Sequence, residues 1–247
     1  MSDPVQVAPG VHRLGSPFVG FYLVEEGGAY TLVDAGLPAH FDQLMALLDR
    51  LGADLHDVRA VVLTHAHADH LGIAERVRTE AQARVHVHGA DAQRARAPGG
   101  TDHERGLLAY AWRPAAMRFL AHMIRGGARR VPRVEDLHTF TDGAVLDVPG
   151  RPTVIGTPGH THGHCSLLLP DRGVLLIGDA LCERNPLTGR AGPQLMPAAF
   201  NASTEQALAS LDRLAGVEAD VILFGHGEPW TGGVAAALER ARELGPT

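Results

Sequence analysis

The chain has 247 residues, 45% of them apolar and 20% charged, with a net charge of −6. These values suit a soluble domain large enough to bury a sizeable core, and the acidic balance argues against a nucleic-acid binder. The first residues form no basic and apolar leader, and no apolar run nears the ~20 residues of a membrane span, so a cytoplasmic protein with no membrane partner is expected.

In chain order, Val19–Val24 and Tyr30–Val33 read as strands joined at Glu25-Glu26-Gly27-Gly28, a hairpin signal. Pro38 opens a helix, with Phe41, Leu44, Met45 and Leu48 on one face and Gly52 closing it. Val58–Thr64 is a short apolar strand that ends at His65, and a helix near Leu71–Thr79 and a strand near Arg84–Val87 follow. Further strands are expected at Thr153–Thr157, Ser166–Leu169, Val174–Ile177 and Val221–Phe224. Ser203 and Gln206 make a capping-box pattern ahead of one helix, and Val234–Leu244 reads as the last. Leu32-Val33-Asp34-Ala35 and Ile177-Gly178-Asp179-Ala180 echo each other, each placing Asp-Ala at the end of an apolar strand.

Residues 91–133 differ from the rest. They hold nine arginines against Asp91, Asp102 and Glu104, a formal +6 that leaves the remainder near −12. Helices broken at Pro114 or at Gly126-Gly127 are expected. Two readings stay open: a solvated helical insertion, or a lid that selects an anionic or aromatic substrate through Tyr110, Trp112 and Arg113.

There are 15 histidines. His12, His40, His56 and His138 are scattered and read as surface residues. The others cluster. His65-Ala66-His67-Ala68-Asp69-His70 packs four metal-capable side chains into six residues directly after a strand, and histidine with carboxylate suits zinc, iron or manganese. Gly159-His160-Thr161, Gly178-Asp179-Ala180 and Gly225-His226-Gly227 place three more candidate ligands after strands. Each is more often structural when alone; together they point to a metal site. His162 and His164, close behind His160, read as hydrogen-bonded structural residues. Cys165 and Cys182 make no disulfide framework.

This pattern of H-x-H-x-D-H, G-H-T, G-D-A and G-H-G resembles the metallo-β-lactamase superfamily, with Val33-Asp34-Ala35-Gly36 matching its first motif. The resemblance spans nearly the whole chain outside the arginine-rich segment. It implies one α/β domain over 1–247, a four-layer αββα sandwich carrying that segment as a helical insertion. It also implies two divalent ions, with zinc first and iron or manganese as the others. His65, His67 and His160 would hold one ion, Asp69, His70 and His226 the other, and Asp179 both. Asp34 would support the metal loop, and Asp69 would also orient the nucleophile.

The implied reaction is hydrolysis of an ester, thioester or lactone of a small molecule by a metal-bridging hydroxide. A shared Asp179 is similar to glyoxalase II and the acyl-homoserine lactonases. Only 21 residues follow His226, so the C-terminal helical domain of glyoxalase II is not expected. Cys182 stands where the lactonases carry a tyrosine, which makes it either a soft group beside the site or a small packed residue. One alternative is a persulfide dioxygenase holding a single iron through His65, His67 or His160 with Asp179; retention of Asp69, His70 and His226 favours two metals. A nucleic-acid-processing enzyme is the second alternative, hinted at only by the basic segment. Oligomeric state is open.

Overall fold

A computed structural model describes residues 3–99, 104, 106, 110 and 112–246; Asp102 and Arg105 of the arginine-rich segment lie outside the described residues. One sheet contains β1 (Val5–Ala8), β2 (Val11–Gly15), β3 (Gly20–Glu26), β4 (Ala29–Val33), β5 (Val58–Val62), β6 (Arg84–His88) and β7 (His138–Phe140), hydrogen-bonded in that order. Pairing is antiparallel from β1 to β4 and parallel from β4 to β7. The second sheet has the order β13-β10-β9-β8, formed by β8 (Thr153–Gly156), β9 (Cys165–Leu169), β10 (Val174–Gly178) and β13 (Val221–Phe224), with β10 and β13 parallel. A small hairpin, β11 (Cys182–Arg184) and β12 (Ala191–Gln194), lies between them in sequence.

The helices are α1 (Phe41–Leu51), α2 (Ala68–Leu71), α3 (Ala74–Ala81), α4 (Ala92–Arg96), α5 (Pro114–Arg125), α6 (Thr204–Ser210) and α7 (Val234–Leu244). Three apolar clusters define the layers. Leu44, Leu48 and Val77 of α1 and α3 pack on Leu32, Val61 and Val85 of the first sheet. Val24, Val33 and Val62 meet Val154, Leu167 and Leu176 between the sheets. Ala207, Leu238 and Ala241 of α6 and α7 cover Leu175, Ile177 and Ile222 on the far face. The result is the αββα sandwich, with β10 apolar and buried along its whole length because it is covered from both sides.

The expected elements that carry strong patterns are present. Gly52 closes α1 at φ 67°, a conformation that a side chain disfavours. Ser203 caps α6 by accepting from Gln206 N at 3.1 Å. The helix expected at Leu71–Thr79 is divided at Gly72-Ile73 into α2 and α3. A side chain at Gly72 would collide with the backbone of Gly36 and Leu37, so this kink is where the His65–His70 loop meets the β4 loop. The strands β1, β2, β7, β11 and β12 were not expected; they are short and carry little alternation.

The reading of His40 as a surface residue is corrected: it is buried, accepts from Leu37 N at 3.0 Å through Nδ1 and stacks on Phe21. A bonded nitrogen acceptor needs the neutral ring, and burial, with His122 beside it, pulls the pKa down to about 4. The unfolded chain therefore binds this proton near pH 6.5 and the native state only near 4. Stability from His40 is complete above about 6.5 and is lost as pH falls through that window, by about 3 kcal/mol in total. His40→Asn keeps an acceptor and removes the titration. Urea unfolding between pH 4 and 7 is expected to show a shallower acid loss in that variant than in the parent, and identical slopes would refute the assignment.

Candidate metal centre

The two parallel strand pairs build the site from opposite sides. β4 and β5 end together, placing Asp34 beside the loop from Thr64 to His70; β10 and β13 end together, placing Asp179 beside His226. The sequence echo thus has a structural meaning: the two strand-end aspartates approach one histidine from opposite sides. Asp34 Oδ2 lies 2.9 Å from His70 Nδ1, and Asp179 Oδ2 lies 3.7 Å from His70 Nε2.

Four of the five histidines of the cluster, His65, His70, His160 and His226, have a partner on the outer nitrogen. His65 Nδ1 sits 3.1 Å from Thr64 Oγ1, whose own proton goes to Asp34, so the ring donates there and turns Nε2 inward. Asn201 Oδ1 accepts from His160 Nδ1 at 3.1 Å, and the Asn201 amide is itself held by Met196 O and Thr204 Oγ1. His226 Nδ1 donates to Phe18 O, leaving Nε2 3.0 Å from Asp179 Oδ2 and 3.6 Å from Asp69 Oδ2. His67 is reversed and brings Nδ1 within 2.8 Å of His160 Nε2. Partners on the outer nitrogen fix the tautomer and ring direction, as they do for metal-ligating histidines.

These inward atoms form three groups: His65, His67 and His160; His65, His70 and Asp179; and Asp69, His70 and His226, with all potential ligand atoms of a group within 4.8 Å of one another. Asp179 Oδ2 is also 3.3 Å from His160 Nε2 and 3.9 Å from His65 Nε2. The seven residues expected from sequence as ligands are thus brought together in one cluster. Buried polar groups are normally paired, yet His65 Nε2, His70 Nε2 and Asp179 Oδ1 are fully buried without a hydrogen-bond partner. Divalent cations satisfy such inward-facing nitrogen and oxygen atoms, and the donor set fits them.

The electrostatics divide the cluster in two. Burial, reinforced by neighbouring rings, drives His65 and His67 well below the ordinary histidine range, and burial takes His160 down to about 4. At His70 and His226 burial also opposes the charge, but the carboxylates outweigh it: Asp34 and Asp179 hold His70 well above its usual value, and Asp179 with Asp69 brings His226 to about 8. Burial resists the charge on Asp179 too, yet His226 and His70 hold it well below the carboxylate range.

Residues beyond the expected set hold the loops. Asp91 is buried, and its carboxylate accepts from Ala66 N at 2.9 Å, Thr161 Oγ1 at 2.8 Å and Gly163 N at 2.8 Å. It ties the His65–His70 loop to the His160 loop. Counting Asp91 only as a charge of the arginine-rich segment concealed this, although it follows strand β6 much as Asp34 follows β4. His164 takes the structural role expected of it, donating to Thr157 and accepting from Asp179 N at 2.9 Å. Arg13 bonds Gly227 O at 2.8 Å, and Gly20 N bonds Gly225 O at 2.7 Å, which anchors the His226 loop to β2 and β3.

Asp34, at φ 57°, is one of three non-glycine residues in the left-handed region among the described residues, a backbone strain typical of functional sites. Gly225 is required for a different reason. A methyl there would overlap Asp179 Oδ1 and press on His70 Cε1. Gly225→Ala, which removes no candidate ligand but crowds Asp179 and His70, is expected to weaken metal retention about 10–100-fold, the usual cost of disturbing a supporting group. Chelator competition measures it, and unchanged retention would refute the close packing.

A cavity of about 200 Å³ opens on the cluster. Its walls include His67, Asp69, His160, Asp179 and His226, with Phe119 and Met123 from α5, Met196, Phe200 and Arg94. Phe119 stands edge-on to His226 at 5.7 Å and packs against Phe200. Tyr110, Trp112 and Arg113, expected as substrate contacts, are not among the residues that line this cavity, and Cys182 takes the packed one of its two readings. Tyr110 packs towards Ala116, Leu187 and Ala199. The Trp112 side chain is 72% exposed, with Arg113 beside it. Cys182 is fully buried with its thiol towards Leu195 O. The helix that walls the cavity is thus legible from sequence as an element, but its inward face, Phe119 and Met123, was not singled out.

Residues 18–226 match the model of the metallo-beta-lactamase superfamily. The probable metallo-hydrolase YflN of Bacillus subtilis (strain 168) is 29% identical over 92% of this chain and 87% of that protein. Metallo-beta-lactamase family protein TTHA1429 from Thermus thermophilus superposes with a TM-score of 0.69 at 31% identity, covering 97% of this chain and 79% of the other. The metallo-beta-lactamase GOB-18 from Elizabethkingia meningoseptica superposes at 0.68 over 98% of this chain and 90% of the other, with 19% identity, a likeness of fold alone. The chain belongs to the metallo-β-lactamase superfamily. Within it, the chain is a metal-dependent hydrolase.

Proposed function

We propose that this hydrolase works with two divalent ions, zinc before iron or manganese, and cleaves an ester, thioester or lactone bond in a small, anionic substrate. The observation that carries the reading is the position of Asp179: one buried carboxylate stands next to His160 of one ligand group and His70 and His226 of the other. A pair of ions bound there supplies a strong nucleophile from water at neutral pH and a Lewis acid for a carbonyl.

The chain's own residues do the rest. Asp69 borders the cavity and lies beside His226, so its carboxylate can orient an attacking water and accept its proton. Phe119, Met123, Met196 and Phe200 exclude bulk water and offer an apolar wall for an acyl or alkyl group. Arg94 supplies a cation to the same cavity, which favours a substrate carrying a carboxylate or similar anion. Two unpaired buried thiols, Cys165 and Cys182, support a reducing compartment such as the cytoplasm.

The test is metal per chain by elemental analysis, followed by hydrolysis of aryl esters, thioesters and lactones in neutral and carboxylate-bearing forms. Two equivalents of metal and turnover of one of these classes are expected. One equivalent of iron with oxygen uptake would replace the reading with a persulfide dioxygenase. Within the same panel, Arg94→Met should raise KM for the anionic member about ten-fold or more and leave its kcat and the neutral member nearly unchanged. Equal effects on both members would remove Arg94 from substrate recognition.

A further inference from the structure

Helix α5 is apolar on two sides. Its inner side, Ala116, Phe119 and Met123, faces the metal cavity and the Phe200 cluster. Its outer side carries Met117, Leu120 and Ile124, at i, i+3 and i+7, exposed to 53%, 54% and 45%. Trp112, just before the helix, is 72% exposed. These four are half of the eight exposed large apolar residues among the described residues, and they fall within 13 consecutive positions. A contiguous exposed apolar stripe of this kind on a helix whose other apolar face is already buried calls for something to cover it.

The charges beside the stripe say what covers it. From Arg113 to Arg133 the sequence holds six arginines and no acidic residue, in a chain whose net charge is −6. Arg133 is paired with Glu135. Arg118 and Arg125 line a groove with Met117, Ala121 and Phe18 along one flank of the stripe, and Arg129 and Arg130 are exposed just past the helix end. An apolar stripe with Trp at its edge and arginines alongside is the composition of a helix that lies in a lipid interface.

A second protein fits less well. Twelve residues make a helix about 18 Å long, and a face about 10 Å wide then offers about 200 Å², against about 800 Å² a side for a stable protein–protein contact. The same length is too short to span a bilayer. We propose that α5 docks the protein peripherally on an anionic lipid surface, with Met117, Leu120 and Ile124 in the interface and Arg118, Arg125, Arg129 and Arg130 on the headgroups. The inner face of the docked helix walls the cavity, so docking brings the site close to the surface. This narrows the expectation of no membrane partner to the absence of a span. It does not depend on which bond is hydrolysed.

The test uses the metal-loaded full chain and vesicles of phosphatidylglycerol or phosphatidylcholine. Co-sedimentation with the anionic vesicles at low salt, release near 0.5 M NaCl and little binding to the neutral ones are expected. Tryptophan emission should shift to the blue on binding, and Trp112→Phe should remove that shift. Two variants should each weaken binding about ten-fold or more: Met117→Gln/Leu120→Gln/Ile124→Gln, and Arg118→Glu/Arg125→Glu. Unchanged metal content and melting temperature establish that they fold. Absence of binding to anionic vesicles overturns the proposal, as does equal binding by parent and variants. A dimer in light scattering that the triple variant abolishes would overturn it too, assigning the face to a second copy of the chain.

Discussion

Asp179→Ala is expected to cost the protein more than one equivalent of metal and at least about 10³-fold in kcat. The carboxylate is the shared neighbour of His70, His160 and His226, so its removal damages both ligand groups at once. A thousand-fold loss corresponds to about 4 kcal/mol of transition-state stabilisation, a modest demand on a residue that, on the proposed reading, would contact both ions. His160→Ala makes the useful comparison, because it removes one ligand from one group. Elemental analysis after dialysis, with kcat on the best substrate of the panel, reads both variants. Full metal occupancy in Asp179→Ala would remove the shared-ligand role, and equal losses in the two variants would argue against two distinct ion positions.

Asp91→Ala is expected to be the most destabilising substitution outside the ligand set, by about 3–5 kcal/mol. Its carboxylate accepts three hydrogen bonds from two loops. Bonds to a charged acceptor are worth about 1.5–3 kcal/mol each, and buried donors left unpaired cost further. For a chain of this size that is a drop of roughly 6–20 °C in melting temperature. Asp91→Asn keeps an acceptor oxygen for one or two of the three donors and should recover part of the loss. Because Ala66 and Thr161 flank candidate ligands, metal retention should fall with stability. Thermal melting with and without added metal separates the effects: a variant as stable as the parent would show that the loops hold without this tie.

The metal cluster was the most legible part of the sequence. His65, His67, Asp69 and His70 lie within one short loop, and the remaining candidate ligands each follow an apolar strand at a glycine-marked turn. Chemistry that needs several ligands close in space leaves several ligands close in sequence, or at recognisable strand ends. Asp34 was legible by the same logic. Asp91 obeyed it too, but charge counting placed it with the arginines. The cavity wall was not legible. Phe119 and Met123 come from α5, and Met196 and Phe200 from a segment some 70 residues later, and nothing local distinguishes an aromatic or methionine that faces a cavity from one that faces a core. His40 was misplaced for a related reason: a histidine with one backbone donor and a stacked ring leaves no mark on its neighbours in sequence.

By itself the sequence determined which seven histidines and aspartates cluster, the strand ends that present them and the helices with strong amphipathic or capping signals. Those features are written in short-range spacing, which strand and helix geometry reads directly. The tertiary structure alone decided that the two Asp-Ala strand ends face each other across His70, that Asn201 and Phe18 orient His160 and His226, and that α5 turns Phe119 inward and Met117, Leu120 and Ile124 outward. These are contacts between residues far apart in the chain. They exist only after the two sheets have packed, because the burial that joins them is non-directional and leaves the choice of partners to the whole fold.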